Sequence, residues 1–287
     1  MSRVRRVGVA VRLTTRASVL LAVASLLGLA AFCWPLLVHA QSGVNAAHSA
    51  DAPWIFVALL PLLLAIVLGE IAEGSLDAKA VALLGILAAC GAALRVPSPG
   101  IDGFEPMWFL LILSGRVLGR GFGFVLGALT LFASALVTGG VGPWLPFQML
   151  GAAWMGFGAA CLPRASGKPE IALLAAYAMV ASLLYGALLN LWFWPFGAGT
   201  TTSFSYVSGG GLLGNLHRFV FYDLTTSLGF DIPRAVTNAV LIVALGRPVL
   251  GALRRASRRA VFEPIVELDD DATSQSLDDR TPASPAP

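Results

Sequence analysis

One ten-residue run joins turn-forming residues to groups able to hold a ligand: Gly139-Gly140-Val141-Gly142-Pro143-Trp144-Leu145-Pro146-Phe147-Gln148. The glycines and prolines reverse the chain, which needs no large side chain. Trp144 and Phe147 add two aromatic surfaces, and Gln148 adds an amide that both donates and accepts. Two readings are open. The aromatics anchor the turn at a membrane interface, where tryptophan commonly sits, or they line a pocket for a small organic molecule. Catalytic and energy-coupling chemistry is sparse elsewhere. The sequence contains no GxxxxGK[ST] loop to cradle ATP phosphates and no HExxH or His/carboxylate cluster for a metal. Cys33, Cys90 and Cys161 form no CxxC pair and read as small core residues. No cofactor and no metal is expected.

The elements that must position these groups are membrane helices. The 287 residues are 57% hydrophobic and 12% charged, with a mean hydropathy of +0.79. Such a composition excludes a soluble globule and implies an all-α polytopic membrane protein. The pI near 9.0 reflects arginines at segment ends, so no nucleic acid is expected as partner. Apolar runs predict eight spans: 17–38, 54–71, 80–94, 107–118, 122–137, 145–162, 171–194 and 234–253. The 107–118 span is short, which predicts a helix that starts below the surface or lies under the preceding loop. Between spans seven and eight, residues 195–233 form the longest loop, with an amphipathic piece around 216–228 suited to a membrane surface.

Lys and Arg alternate between loops. With the amino terminus inside, Arg3 to Arg16, Lys79, Arg116, Arg120, Arg164, Lys168 and the cluster from Arg254 all fall inside. Only Arg95, Arg218 and Arg234 fall outside, so the positive-inside rule predicts both termini cytoplasmic. The outer face then collects Arg95, Trp108, Trp144, Phe147, Gln148, Asn190, Trp192, Trp194, His217, Arg218, Tyr222 and Asp223. The mixed charges favour a neutral or zwitterionic ligand. Because the spans hold no acid or lysine at their middles, a proton-coupled carrier is disfavoured; the pattern suits a binding subunit that borrows its motor.

The run from Leu76 to Arg259 resembles the substrate-binding (S) components of energy-coupling factor vitamin transporters. The resemblance lies in the helix from Lys79 to Arg95, in Ser114-Gly115-Arg116-Val117-Leu118-Gly119 with Gly121-Phe122-Gly123, in Gly142 to Met149, and in Gly246-Arg247-Pro248. The cobalamin group is the nearest likeness. It implies a six-helix membrane core over 76–259 that captures a vitamin at the outer face of a bacterial plasma membrane. Two additional helices would occupy 17–75, flanked by a basic amino terminus (1–16) and an acidic, Ser- and Pro-containing tail (260–287). It also implies partners: a transmembrane scaffold subunit and two cytoplasmic ATPases. The family's scaffold-facing helix face would fall on Ala78, Ala82, Gly85 and Ala89, whose small side chains let another helix approach. Other classes stay open: an S component for riboflavin, a thiamin precursor or a queuosine precursor, a lipid-modifying enzyme using His217 with Asp223, or an assembly partner without ligand. No DDxxD motif lies between spans, which weighs against the enzyme.

Overall fold

The computed structural model describes residues 15–37, 78–97, 103–197, 203–207 and 209–260. The expected second span (54–71), the basic amino terminus and the tail from 261 lie outside them. The described residues are helical and contain no strand: α1 Thr15–Phe32, α2 Trp34–Leu37, α3 Ala78–Arg95, α4 Met107–Leu118, α5 Arg120–Thr138, α6 Leu145–Cys161, α7 Lys168–Gly197, α8 Leu212–Thr226 and α9 Leu228–Ala260. Long runs of Leu, Ala, Val and Phe give this result because lipid offers the backbone no hydrogen-bond partner, so each segment must satisfy its own N–H and C=O groups. Arg120–Thr138, Lys168–Pro195 and Leu228–Arg258 are long and apolar enough to cross a membrane.

The helices run alternately between two ends of the bundle. Where α3 and α5 finish and α4 and α6 start, Glu105 marks one end; the α4–α5 and α6–α7 turns mark the other, at Glu170. Helix α4 lies inside the bundle, with nine of its 12 residues buried. At about 1.5 Å per residue it is about 18 Å long, too short for the roughly 30 Å hydrocarbon layer; most of the loop expected to cover its start lies outside the described residues. It packs against α5 and α6 through glycine. A Cβ at Gly115 would strike the Gly156 carbonyl, and one at Gly156 would strike that of Gly123. Backbones can meet this closely only where side chains are absent.

Several boundaries differ from expectation. The first helix stops at Phe32 instead of Val38, because the chain breaks at Cys33 before the short α2. The eighth span begins at Leu228, six residues before Arg234, so Asp231 belongs to a helix and not to a loop. The 195–233 segment holds a full helix, α8, which buries Asn215, Phe219 and Tyr222 at a spacing of four and three. Its opposite face exposes Leu213, Leu216, Val220 and Leu224, as a helix lying in a membrane interface does. Cys90 and Cys161 are exposed and Cys33 is half-buried, so none is the core residue expected. Cys90 and Cys161 sit on outward helix faces, where a thiol of modest polarity is tolerated, and Cys33 packs at the α1–α2 break against the Trp194 cluster.

Candidate functional site

Four charged side chains meet at the Glu105 end. Glu105 precedes α4, Arg95 closes α3, and Asp231 and Arg234 lie one turn apart in α9. Arg234 donates from Nε to Glu105 Oε2 at 2.8 Å and from Nη1 to Asp231 Oδ1 at 2.7 Å and the Ser182 carbonyl at 3.2 Å. The Trp108 indole donates to Glu105 Oε2 at 3.0 Å, and Ser227 donates to Asp231 Oδ2 at 2.6 Å. Arg95 stands 3.5 Å from Glu105 Oε1. Asn238, fully buried, donates to the carbonyls of Glu105 at 3.0 Å and Arg234 at 2.8 Å and accepts the Phe109 N–H at 2.8 Å. Gly186 makes room for this knot, since a Cβ there would run into the Asp231 carboxylate.

Electrostatics explain why charges persist at this depth. A lone buried charge costs several kcal/mol, and pairing with full hydrogen bonding is what makes burial tolerable. Two guanidiniums face two carboxylates here, so the group is neutral as a whole. Burial would raise the Glu105 carboxyl, but Arg234, Arg95 and the Trp108 N–H outweigh it and hold its pKa below the ordinary carboxylate value. The Arg234 guanidinium also lies 5.2 Å from the centre of the Tyr185 ring, a cation–π distance.

An aromatic wall forms where α1, α6 and α7 meet. Phe147 stacks on Trp192 at 4.5 Å with the rings 2° apart, and Phe32 of α1 meets Phe147 edge-on at 5.0 Å. Nearer the end of the bundle, Trp194 and Tyr222 join Leu191 and Phe219 in a second apolar cluster. Next to it opens a shallow depression of about 50 Å³ lined by Pro35, Leu36, Tyr206, Gly209, Gly211, Leu212 and Asn215. Asn190 donates to Asp223 Oδ1 at 2.9 Å and so ties α7 to α8. Burial raises the Asp223 carboxyl, partly opposed by that bond.

At the opposite end one acid gathers two arginines. Glu170, almost fully buried, accepts from Arg254 at 2.7 Å on both oxygens and from Arg116 at 3.2 Å. Arg116 also donates to the carbonyls of Leu162 and Pro163, each at 2.9 Å. This ties α4, the α6–α7 turn and α9 together. No group of three His, Cys, Asp or Glu could hold a metal among the described residues.

The family model described as "ECF transporter, substrate-specific component" matches residues 79–246, more than half of the chain and the whole of α4 to α8. The chain belongs to that family. No curated protein matches it, and no solved structure does. An S component supplies specificity to an ECF transporter, which agrees with the membrane helices and with the resemblance drawn from the sequence. The match begins in α3, so α1 and α2 lie outside it.

The residues expected to bind substrate in this S component fall into separate groups. Arg95 and Trp108 belong to the charged knot. Phe147 and Trp192 form the aromatic wall, while at the α7–α8 contact Asn190 bonds Asp223 and Tyr222 packs with Leu191 and Trp194. Gln148 is half-buried at the start of α6, His217 is exposed on α8 and Arg218 is half-exposed. Trp144 is not brought to the others: it is exposed and donates to its own turn, at the Gly140 carbonyl, at 3.2 Å. Of the small-residue set, Ala82, Gly85 and Ala89 are exposed, and a Cβ at Gly85 would meet nothing within 4 Å. Sequence reasoning missed Glu105, Ser227, Asp231 and Asn238. Asp231, Arg234 and Asn238 recur at three- and four-residue spacing, which places them on one helix face; that signal was present once the segment was taken as helix.

Proposed function

We propose that the chain is the substrate-capturing subunit of an ECF-type importer in a bacterial plasma membrane, taking a vitamin at the Glu105 end for ATP-driven uptake. The observation that carries this reading is the family match over 79–246, joined to an end of the bundle where aromatic surface and paired charges converge. Without a P-loop of its own, the chain would rely on a scaffold subunit and two cytoplasmic ATPases. In this reading the outward face of α3, with Ala82, Gly85 and Ala89, meets the scaffold, both termini are cytoplasmic, and no reaction is catalysed. In this reading residues 76–259 supply six membrane spans, with α8 at the membrane surface, and residues 17–75 would supply two more.

Cobalamin is the first ligand reading, on the likeness of the Gly142 to Met149 stretch to the cobalamin group. A smaller vitamin is the second, favoured by the small size of the depression beside α8, about 50 Å³. A corrinoid would require residues around 204–215 to move aside. Mass spectrometry of protein purified in mild detergent from cells grown on a vitamin mixture tests both. One vitamin in stoichiometric amount is the expected result, and an empty protein under saturating vitamins would remove the reading.

A further inference from the structure

The helix that precedes the family-matched region is bonded to the proposed site. Its last residue, Phe32, and the break and short α2 that follow, through residue 36, are the ones that reach it. Phe32 is fully buried against Phe147 and lies 5.6 Å from Trp154. The Trp154 indole donates to Ser25 Oγ at 3.0 Å, and the Trp34 indole donates to the Trp192 carbonyl at 3.2 Å. At membrane depth an indole N–H left without an acceptor is costly, so these two bonds fix α1 against α6 and α7 at a set height. A helix held only by lipid-facing contact would need neither.

The break at Cys33 then turns the chain toward the end of α7. Leu36 N–H bonds the Cys33 carbonyl at 2.9 Å, and this turn presents Pro35 and Leu36 to the depression. Tyr206, Leu212 and Asn215 face them from the other side. The Asn215 side chain is occupied by Val207, donating to its carbonyl at 2.9 Å and accepting its N–H at 3.2 Å, so it holds the wall more than it offers a charge. Among the described residues, none that lines the space is charged. Such a surface takes an uncharged group and desolvates badly around an ion.

We propose that residues 32–36, from the end of α1 into α2, form one wall of the substrate site, and that the part of the ligand held there is uncharged. The proposal rests on the vitamin-capture reading above and adds to it a specificity element outside the family-matched residues. Leu36→Trp would fill the depression from the amino-terminal side, and Leu36→Ala would widen it. Leu26→Trp, on a face of α1 that is 68% exposed, serves as control.

The test titrates the purified full chain and each variant with riboflavin, cyanocobalamin and thiamin, reading binding by calorimetry and folding by thermal denaturation in detergent. Riboflavin or cyanocobalamin should bind the parent, and Leu36→Trp should weaken that binding about tenfold or more, as loss of a buried contact area does. Leu36→Ala should weaken it several-fold, and it decides the matter if the tryptophan variant does not fold. Leu26→Trp should bind as the parent does. Parent-like affinity in whichever Leu36 variant folds would overturn the wall and leave vitamin capture standing. Tightest binding of thiamin, a cation, would overturn the uncharged class. A parent that binds none of the three and is also empty after growth on the vitamin mixture overturns vitamin capture and this inference together.

Discussion

Glu105 is the residue on which most of the polar contacts at its end converge. It accepts from Arg234 and Trp108, faces Arg95, and its own carbonyl accepts from Asn238. Removing one partner of a buried pair strands the other, at about 3–5 kcal/mol, whereas removing both is far milder. Arg234→Met should therefore destabilise the protein more than the double change Arg234→Met with Glu105→Gln, measured as thermal midpoints in detergent. Equal midpoints would show that the pair does not act as a unit. The pH dependence has a definite sign. A carboxyl whose folded pKa is depressed stabilises the fold above its unfolded value, about 4.3 for Glu. That stability is lost as pH falls through the lower folded value. Between about pH 5 and pH 3 the parent's midpoint should drop more steeply than that of Glu105→Gln.

Helix α3 shows two faces built from the same small residues for different purposes. Gly91 is buried, and a Cβ there would press on the Thr130 side chain at 2.6 Å; at Gly85 the space is open. A bulky residue at the first position must distort the bundle, while at the second it can affect only something that docks from outside. Gly85→Leu should leave ligand affinity and thermal stability unchanged and abolish uptake in cells carrying the partner subunits. Gly91→Leu should lower the thermal midpoint. Loss of binding in Gly85→Leu would mean that the outward face of α3 serves the bundle itself and not a scaffold.

Across the whole molecule, the two ends differ in chemistry. The Glu105 end pairs its arginines with acids and surrounds them with aromatic rings. The Glu170 end keeps Arg120, Arg164, Lys168 and Arg255 exposed, as a cytoplasmic face does under the positive-inside rule. With Cys33, Cys90 and Cys161 replaced by alanine, a cysteine placed at Gly140 should react with an impermeant thiol reagent in intact cells. One placed at Ser166 should not. Labelling at Ser166 alone would invert the orientation and move substrate capture to the Glu170 end.

Hydropathy and spacing were enough to establish an all-α membrane protein and to place α3 to α7 within a few residues of their observed limits. Lipid forces that outcome, because a long apolar run there has no alternative to a helix. The aromatic residues that the fold packs around the candidate site, Phe147, Trp192 and Tyr222, were also named from the sequence. The grouping was not. Trp144 turned to its own loop, and the charged knot assembled from Arg95, Glu105, Asp231 and Arg234 across as many as 139 positions of sequence, counting from 95 to 234. Pairing at such a distance depends on which helix ends meet, and no local pattern encodes that. The same limit hid the role of α1. Its residues read as a plain span, and only packing against α6 and α7 put Phe32, Trp34 and Leu36 beside the site, because an apolar helix surface becomes a wall only when its neighbour is in place.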